Sequence, residues 1–360
     1  MAEAPPLKQI LKTQTMDGEL YEVHTDNSLT CYACGHRCLI KDGRDGICRV
    51  RFNEGGKLYV PANYAAGVQC DPTEKKPFFH VFPGSLAVTF GMLGCDFHCA
   101  YCQNWVTSQA LRDPKAVAPP QEVQPVDLII LGKQYRAKLI VSSYNEPLIT
   151  SEWAVKIFKE AKKEGFTTGY VSNGNATPEV LDYIRPHTDL YKIDLKSFTD
   201  KNYRKLGGVL QHVLDSIEMV YEKGFWLEIV SLLIPGFNDS NDELKSMAKF
   251  LAEISPDIPW HVTAFHQDYK MQDSDNTPVE TLIRAAEIGY ETGLNYVYAG
   301  NLPGRVGKYE NTFCPNCRVE LITRFGFQIL QNQIVNGECY NCQTQIPGRW
   351  ENNLPENQDL

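Results

Sequence analysis

Twelve cysteines in a chain of 360 residues constrain the fold more than any other feature, because they are grouped rather than scattered. Cys31, Cys34, Cys38 and Cys48 form one set, Cys95, Cys99 and Cys102 a second, and Cys314, Cys317, Cys339 and Cys342 a third; Cys70 stands alone. In a reducing compartment such sets are thiolate ligands rather than disulfides. That compartment is the expected one. The opening "MAEAPPLKQILKTQ" is broken by Pro5, Pro6 and two lysines, and no run of about 18 apolar residues offers a membrane span. The chain is expected to be cytoplasmic and free of the membrane. With 35 Lys plus Arg against 44 Asp plus Glu, the net charge of −9 disfavours a general attraction to nucleic acid.

Between residues 86 and 301 short β-branched runs alternate with longer amphipathic ones, the pattern of parallel β/α units. The strands are expected at "LAVTFGML", "LIVSSY", "TGYVSN", "LYKIDL", "LEIVSLLI", "WHVTAF" and "NYVYAG". The helix after "LIVSSY" carries Ala154, Ile157, Phe158 and Ala161 on one stripe, opening near Thr150 and closing at Gly165. Ser240 with Glu243 and Thr277 with Glu280 have capping-box spacing, and Pro278 suits a first helical turn. The expected fold class is α/β, a partial or complete parallel β/α barrel flanked by small cysteine modules. Its segments are a four-cysteine module in 1–80, the β/α barrel in 81–305, a zinc-ribbon-like module in 306–350 and a polar tail in 351–360. The proline-rich stretch 106–125 is read as a connector.

The segment "GCDFHCAYCQNW" spaces Cys95, Cys99 and Cys102 as C-x₃-C-x₂-C directly after a strand. Three thiolates from one tight loop hold three irons of a four-iron cube and leave the fourth open. A zinc reading would need a further ligand, with His98 in the loop as its candidate. The spacing, with Tyr101 before the last cysteine, is identified as the motif of the radical S-adenosylmethionine (SAM) enzymes. The resemblance implies a [4Fe-4S] cluster whose open iron binds the amino and carboxylate groups of SAM. One electron then cleaves SAM to methionine and a 5′-deoxyadenosyl radical that abstracts hydrogen from substrate, with no catalytic side chain required beyond the cluster.

Polar residues cluster where the strands end. Asn145 and Glu146, Ser172 and Asn173, and Asp194 and Lys196 offer a carboxylate for an ammonium, a lysine for a carboxylate, and amides and hydroxyls for a ribose. In this light the chain resembles pyruvate formate-lyase activating enzyme and its relatives: "YNEP" is similar to their "GGEP", "SNG" to their "TNG", and Asp194 and Lys196 to their "DxK". The resemblance implies cofactor binding by Glu146, Asn173, Asp194 and Lys196, with Tyr101, Asn145 and Ser172 beside them. Tyr144 and Asn145 replace the paired glycines, and Val171 replaces an acidic residue. A second resemblance, over about residues 28–350, is to the radical SAM proteins of the AmmeMemoRadiSam system. It rests on the ordered series "CYACGHRC", "GICRVR", "DPTEKKPFFH", "GCDFHCAYCQNW", "YNEP", "IDLKSF", "YAGN" and "CPNC…CYNC". This resemblance implies Memo-like and AMMECR1-like partners, and the chemistry requires a reductant such as flavodoxin or ferredoxin.

Cys314, Cys317, Cys339 and Cys342 form two C-x₂-C pairs 21 residues apart, zinc-ribbon spacing. Rubredoxin-like iron is the alternative. Cys31, Cys34, Cys38 and Cys48 are less regular. Zinc is favoured there, with His36 as an alternative ligand, and a second iron–sulfur cluster remains open because four thiolates suit either metal. Cys70 reads as an inert small hydrophobe, Lys75 and Lys76 as a solvated loop, and His80, His261 and His266 as packed or capping residues, His266 nearest a barrel mouth. The leading function is a radical SAM enzyme acting on an unidentified substrate. Its competitors are a glycyl-radical-enzyme activase and a non-catalytic iron–sulfur or zinc electron carrier.

Overall fold

The computed structural model describes residues 7–351. The expected tail thus lies outside the described residues except for Glu351. An eight-stranded sheet forms the centre: β1 (Gly67–Pro72), β2 (Leu86–Gly91), β3 (Leu139–Ser142), β4 (Thr167–Ser172), β5 (Leu190–Asp194), β6 (Trp226–Leu233), β7 (Trp260–Ala264) and β8 (Val297–Gly300). The strands lie in chain order across the sheet. β2 to β8 run parallel, while β1 pairs antiparallel with β2 from Gly67↔Gly91 to Pro72↔Leu86. All seven expected strands are present. The sheet is open, with β1 and β8 at its edges, so the barrel is partial and does not close on itself.

Helices α1 (Pro125–Gln134), α2 (Ser151–Lys163), α3 (Pro178–Ile184), α4 (Asp200–Leu206), α5 (Leu210–Glu222), α6 (Asn241–Ile254) and α7 (Val279–Glu291) occupy the crossovers. Their apolar stripes pack on the outer face of the sheet. Along α2, Trp153, Ala154, Ile157, Phe158 and Ala161 are buried, and each large side chain contributes about 1.5–3 kcal/mol relative to exposure. β3 is buried at every position, as a parallel strand covered on both faces must be.

The two capping expectations divide. Ser240 caps α6 by accepting from the Glu243 N–H at 3.3 Å. The Glu243 carboxylate does not return the bond; it accepts from the Ser197 hydroxyl and the Phe198 N–H, fixing the loop after β5. The Thr277 box does not form. α7 begins one residue late, at Val279, because the Thr277 hydroxyl donates to the Leu233 carbonyl and accepts the Phe265 N–H.

Outside the sheet, residues 15–61 make two small three-stranded sheets, and residues 312–332 make a third, followed by a two-stranded hairpin. Arg51 and Glu152 join the first region to α2 through two hydrogen bonds of 2.7 Å, with both side chains at most 1% exposed. The C-terminal strands dock near β8. Arg324 lies 4.3 Å over the Phe79 ring and donates to the Phe79 carbonyl. The connector read in 106–125 is tied down by Gln121–Glu122, which pairs with Tyr64–Ala65.

Candidate functional site

The loop after β2 carries the three central cysteines. It is irregular because its middle bonds outside itself: His98 N–H donates to the Leu206 carbonyl and Lys270 N–H to the Ala100 carbonyl, each at 2.9 Å. Gly94 has φ +93°, and a β-carbon there would lie 2.8 Å from Val50, so glycine is required where the chain turns into the loop. Cys99 is buried and Cys95 and Cys102 are half-buried. Burial pushes the Cys99 thiol up to about 12, so a bound cation is needed to hold it as a thiolate. The His98 ring is exposed and packed over Gly207, and the zinc reading of this loop gains nothing from it.

Two sets of the expected residues converge on these thiols. The first is a buried carboxylate network. Glu146, at the end of β3's following turn, accepts from the Ser172 hydroxyl (2.7 Å), the Asn173 N–H (2.7 Å) and the Leu148 N–H (3.1 Å). The side-chain amide of Asn173 reaches Asp96 at 2.7 Å, and that of Asn175 reaches the other Asp96 oxygen at 2.8 Å. Burial, then the neighbouring charge of Asp96, holds Glu146 up at about 8. Two buried carboxylates therefore face one another across Asn173 without a lysine or arginine between them, a setting that favours an incoming cationic group. Asp96 and Asn175 were missed by sequence reasoning. Their position inside "GCDFHC" and "SNGN" was the available signal.

The second set is cationic and lines a cavity of about 620 Å³ that opens from Cys99 and Cys102 into the sheet. Asp194 ends β5 and bridges Lys192 and Lys196, the latter at 3.1 Å. Burial opposes its charge, but the two ammonium groups prevail and hold Asp194 at about 2. Tyr101 also lines this cavity, edge-on to Phe237. Asn145 belongs to neither set: its amide oxygen accepts the Met92 N–H at 3.0 Å and its NH₂ donates to the Glu146 carbonyl, so it braces the loop.

Several expectations for other residues change. Lys76 is 4% exposed rather than solvated. It lines the cavity and donates to Asp71 at 2.9 Å and to the Tyr144 hydroxyl at 3.3 Å. Lys75 is exposed, as expected of a loop, and salt-bridged to Asp71. Tyr144 adopts φ +66°, at a cost of about 1–2 kcal/mol for a side-chain-bearing residue. His80 is packed among Tyr296, Trp226 and Trp350. His261 is buried against Glu228 at 2.7 Å, and His266 sits exposed at the cavity mouth beside Gln103. Cys70 lies on the edge strand β1 opposite Val88.

The C-terminal cysteines come together closely. The Sγ atoms of Cys314 and Cys342 are 3.5 Å apart and those of Cys317 and Cys339 3.7 Å apart, with all four within 4.8 Å. A tetrahedral site with metal–sulfur bonds of about 2.3 Å sets its sulfurs about 3.8 Å apart, so this group can hold one metal ion.

Comparisons with known proteins follow the same lines. The family described as the radical SAM superfamily matches residues 90–251. An uncharacterized protein of Methanocaldococcus jannaschii is 34% identical over 330 residues, covering 91% of this chain and 97% of that one. Pyruvate formate-lyase 1-activating enzyme of Escherichia coli is 26% identical over 236 residues, 60% of this chain and 93% of the enzyme. Among solved structures, a radical SAM methyltransferase from Sphaerobacter thermophilus superposes with a TM-score of 0.48 at 17% identity, over 61% of this chain and 68% of that one.

Proposed function

From the premise that the chain belongs to the radical SAM superfamily and is an enzyme of that chemistry, we propose that it abstracts hydrogen from a substrate seated in the cavity beside Cys99 and Cys102. The family's [4Fe-4S] cluster and SAM together supply a one-electron cleavage to a carbon radical. Cys95, Cys99 and Cys102 are the cluster ligands in this reading. The buried pair Glu146 and Asp96, held by Ser172, Asn173 and Asn175, receives the methionine ammonium. Lys196, oriented by Asp194, receives the carboxylate, and Tyr101 packs beside the coenzyme. The observation that carries the proposal is that Cys99 and Cys102 open onto a cavity lined by the lysine-flanked Asp194, while the buried carboxylate network reaches Asp96, the neighbour of Cys95. The chain's part is to orient the coenzyme and to keep water from the radical.

The cavity is also walled by residues 74–77 and 79 and by 301–303, 310 and 326–327. Lys76 in that wall, with Lys192 and His261 from the sheet, makes the cavity lining polar, which suits a small polar substrate. Anoxically reconstituted protein with SAM and a strong reductant is expected to release 5′-deoxyadenosine, and deuterium from a labelled substrate is expected to appear in it. Failure to bind or cleave SAM would return the chain to the electron-carrier reading.

A second reading, a glycyl-radical-enzyme activase, is favoured by the similarity to pyruvate formate-lyase 1-activating enzyme across 93% of that enzyme. A glycyl radical seen by EPR on a candidate partner would select it. Zinc in the C-terminal group is proposed from its thiolate set. A flavodoxin- or ferredoxin-class donor is proposed as reductant, with Memo-like and AMMECR1-like proteins as partners from the family resemblance. Among the described residues no helix is long and apolar enough to cross a membrane.

A further inference from the structure

The loop bearing Cys95 rests on a second set of thiols, and we propose that Cys31, Cys34, Cys38 and Cys48 hold an iron–sulfur cluster that passes electrons to the first. The metal half of this inference stands on the N-terminal residues alone; the relay half rests on the radical SAM reading.

Cys31 ends the strand Leu29–Cys31, Cys34 and Cys38 lie in the following turn, and Cys48 precedes the strand Phe52–Glu54. Cys31, Cys34 and Cys48 are buried and Cys38 is half-buried. Cys34 lies within electrostatic reach of the other three thiols and of Asp96. Four thiols thus share one buried region, with Arg51 close enough to Cys31 and Cys48 to interact with their charge. Four gathered thiols are a complete ligand set for a metal centre, whose charge would hold them as thiolates against the cost of burial.

Spacing and surroundings point to a polynuclear occupant. Among the described residues, the C-terminal cysteines are the ones gathered to within 4.8 Å of one another, as a single tetrahedral ion requires. The N-terminal four are set more widely, like the three thiols of the central loop. Wider spacing fits a cluster, in which each thiolate binds a different iron. The Ile47 N–H donates to the Cys38 sulfur at 3.5 Å, the type of contact that tunes a cluster's reduction potential.

Placement supplies the function. The Arg112 guanidinium donates to the Ile47 carbonyl and the Cys95 carbonyl, each at 2.7 Å, clamping the residue before Cys48 to the first cysteine of the central loop. A β-carbon at Gly94 would lie 3.1 Å from the Cys48 carbonyl, so the two backbones touch. The Gly35 N–H donates to the Asn175 carbonyl at 2.8 Å, joining the turn of Cys34 to the network around Asp96. The two thiol sets are therefore connected through packed, hydrogen-bonded protein. The half-buried Cys38 lies between exposed Leu39 and Ile47, which gives an external donor its point of approach. The step is a single electron transfer. A flavodoxin- or ferredoxin-class donor is oxidised by one electron, which crosses the N-terminal centre and reduces the central one; no bond forms or breaks.

The test removes the central site and asks what remains. The triple variant C95A/C99A/C102A, reconstituted without oxygen, is expected to retain about four iron and four sulfide per chain, and an EPR signal on reduction. Zinc with no iron in that variant overturns the proposal. Should the variant fail to fold, the wild-type count decides: about eight iron per chain supports two clusters, and about four iron with two zinc overturns it. For the relay, freeze-quench EPR follows reduction of the central cluster in C38S. Loss of the rate with a reduced flavodoxin, relative to the rate with titanium(III) citrate, is expected. An unchanged ratio overturns the relay.

Discussion

Asn173 donates to Asp96 through its side-chain amide at 2.7 Å, while its backbone N–H donates to Glu146 at the same distance. One residue thus holds two buried carboxylates in fixed relation beside Cys95. Replacing Asp96 with Asn introduces an NH₂ that faces the donors of Asn173 and Asn175 and removes one negative charge. The D96N variant is expected to bind SAM about 10- to 100-fold more weakly, the loss of about 1–3 kcal/mol for such a contact, read by equilibrium binding to anoxically reconstituted protein.

Glu146 makes this network sensitive to pH. Its carboxyl is raised from the ordinary 4.5 to about 8, by burial and then by Asp96. Between those values the folded protein binds more protons than the unfolded chain. Stability therefore falls as pH rises through that window, at no more than about 1.4 kcal/mol per pH unit. Denaturant unfolding of the SAM-free protein across the window is expected to show this fall, and E146Q to flatten it.

The Arg51–Glu152 pair predicts a different kind of loss. Both partners are buried and bidentate, so R51A or E152A leaves an unpaired charge in the interior. Each single change is expected to destabilise the protein by about 3–5 kcal/mol, and joint replacement by well-packed apolar residues by much less. Equilibrium unfolding of the three variants measures the difference.

The thiols of Cys314, Cys317, Cys339 and Cys342 close on one point, so C339S is expected to lose one zinc per chain and to melt at a lower temperature. Metal analysis and calorimetry check both. Retention of full zinc content would contradict the assignment.

Much of this arrangement was legible because it is periodic or spaced. The seven parallel strands were visible as short apolar runs, and the three cysteine sets were visible as ligand spacings. What escaped depends on contacts distant in the chain. β1 reads "GVQCDP" and has no alternation to mark it; it exists because β2 offers an unpaired edge. Thr277 had the right spacing for a cap, but Leu233, 44 residues away, claims its hydroxyl. Lys76 looked solvated because no local pattern shows that Asp71 and Tyr144 fold over it. Asp96 is an ordinary loop residue in sequence, and only the approach of Asn173 and Asn175 makes it part of the site.

The central claim is that three thiols hold a cluster with one corner left for SAM. EPR of the reduced, anoxically reconstituted protein tests it most directly when recorded with and without SAM, in the wild type and in C99A. The account predicts a [4Fe-4S] signal in the wild type that changes on adding SAM, and the loss of that response in C99A. A wild-type spectrum indifferent to SAM would contradict it.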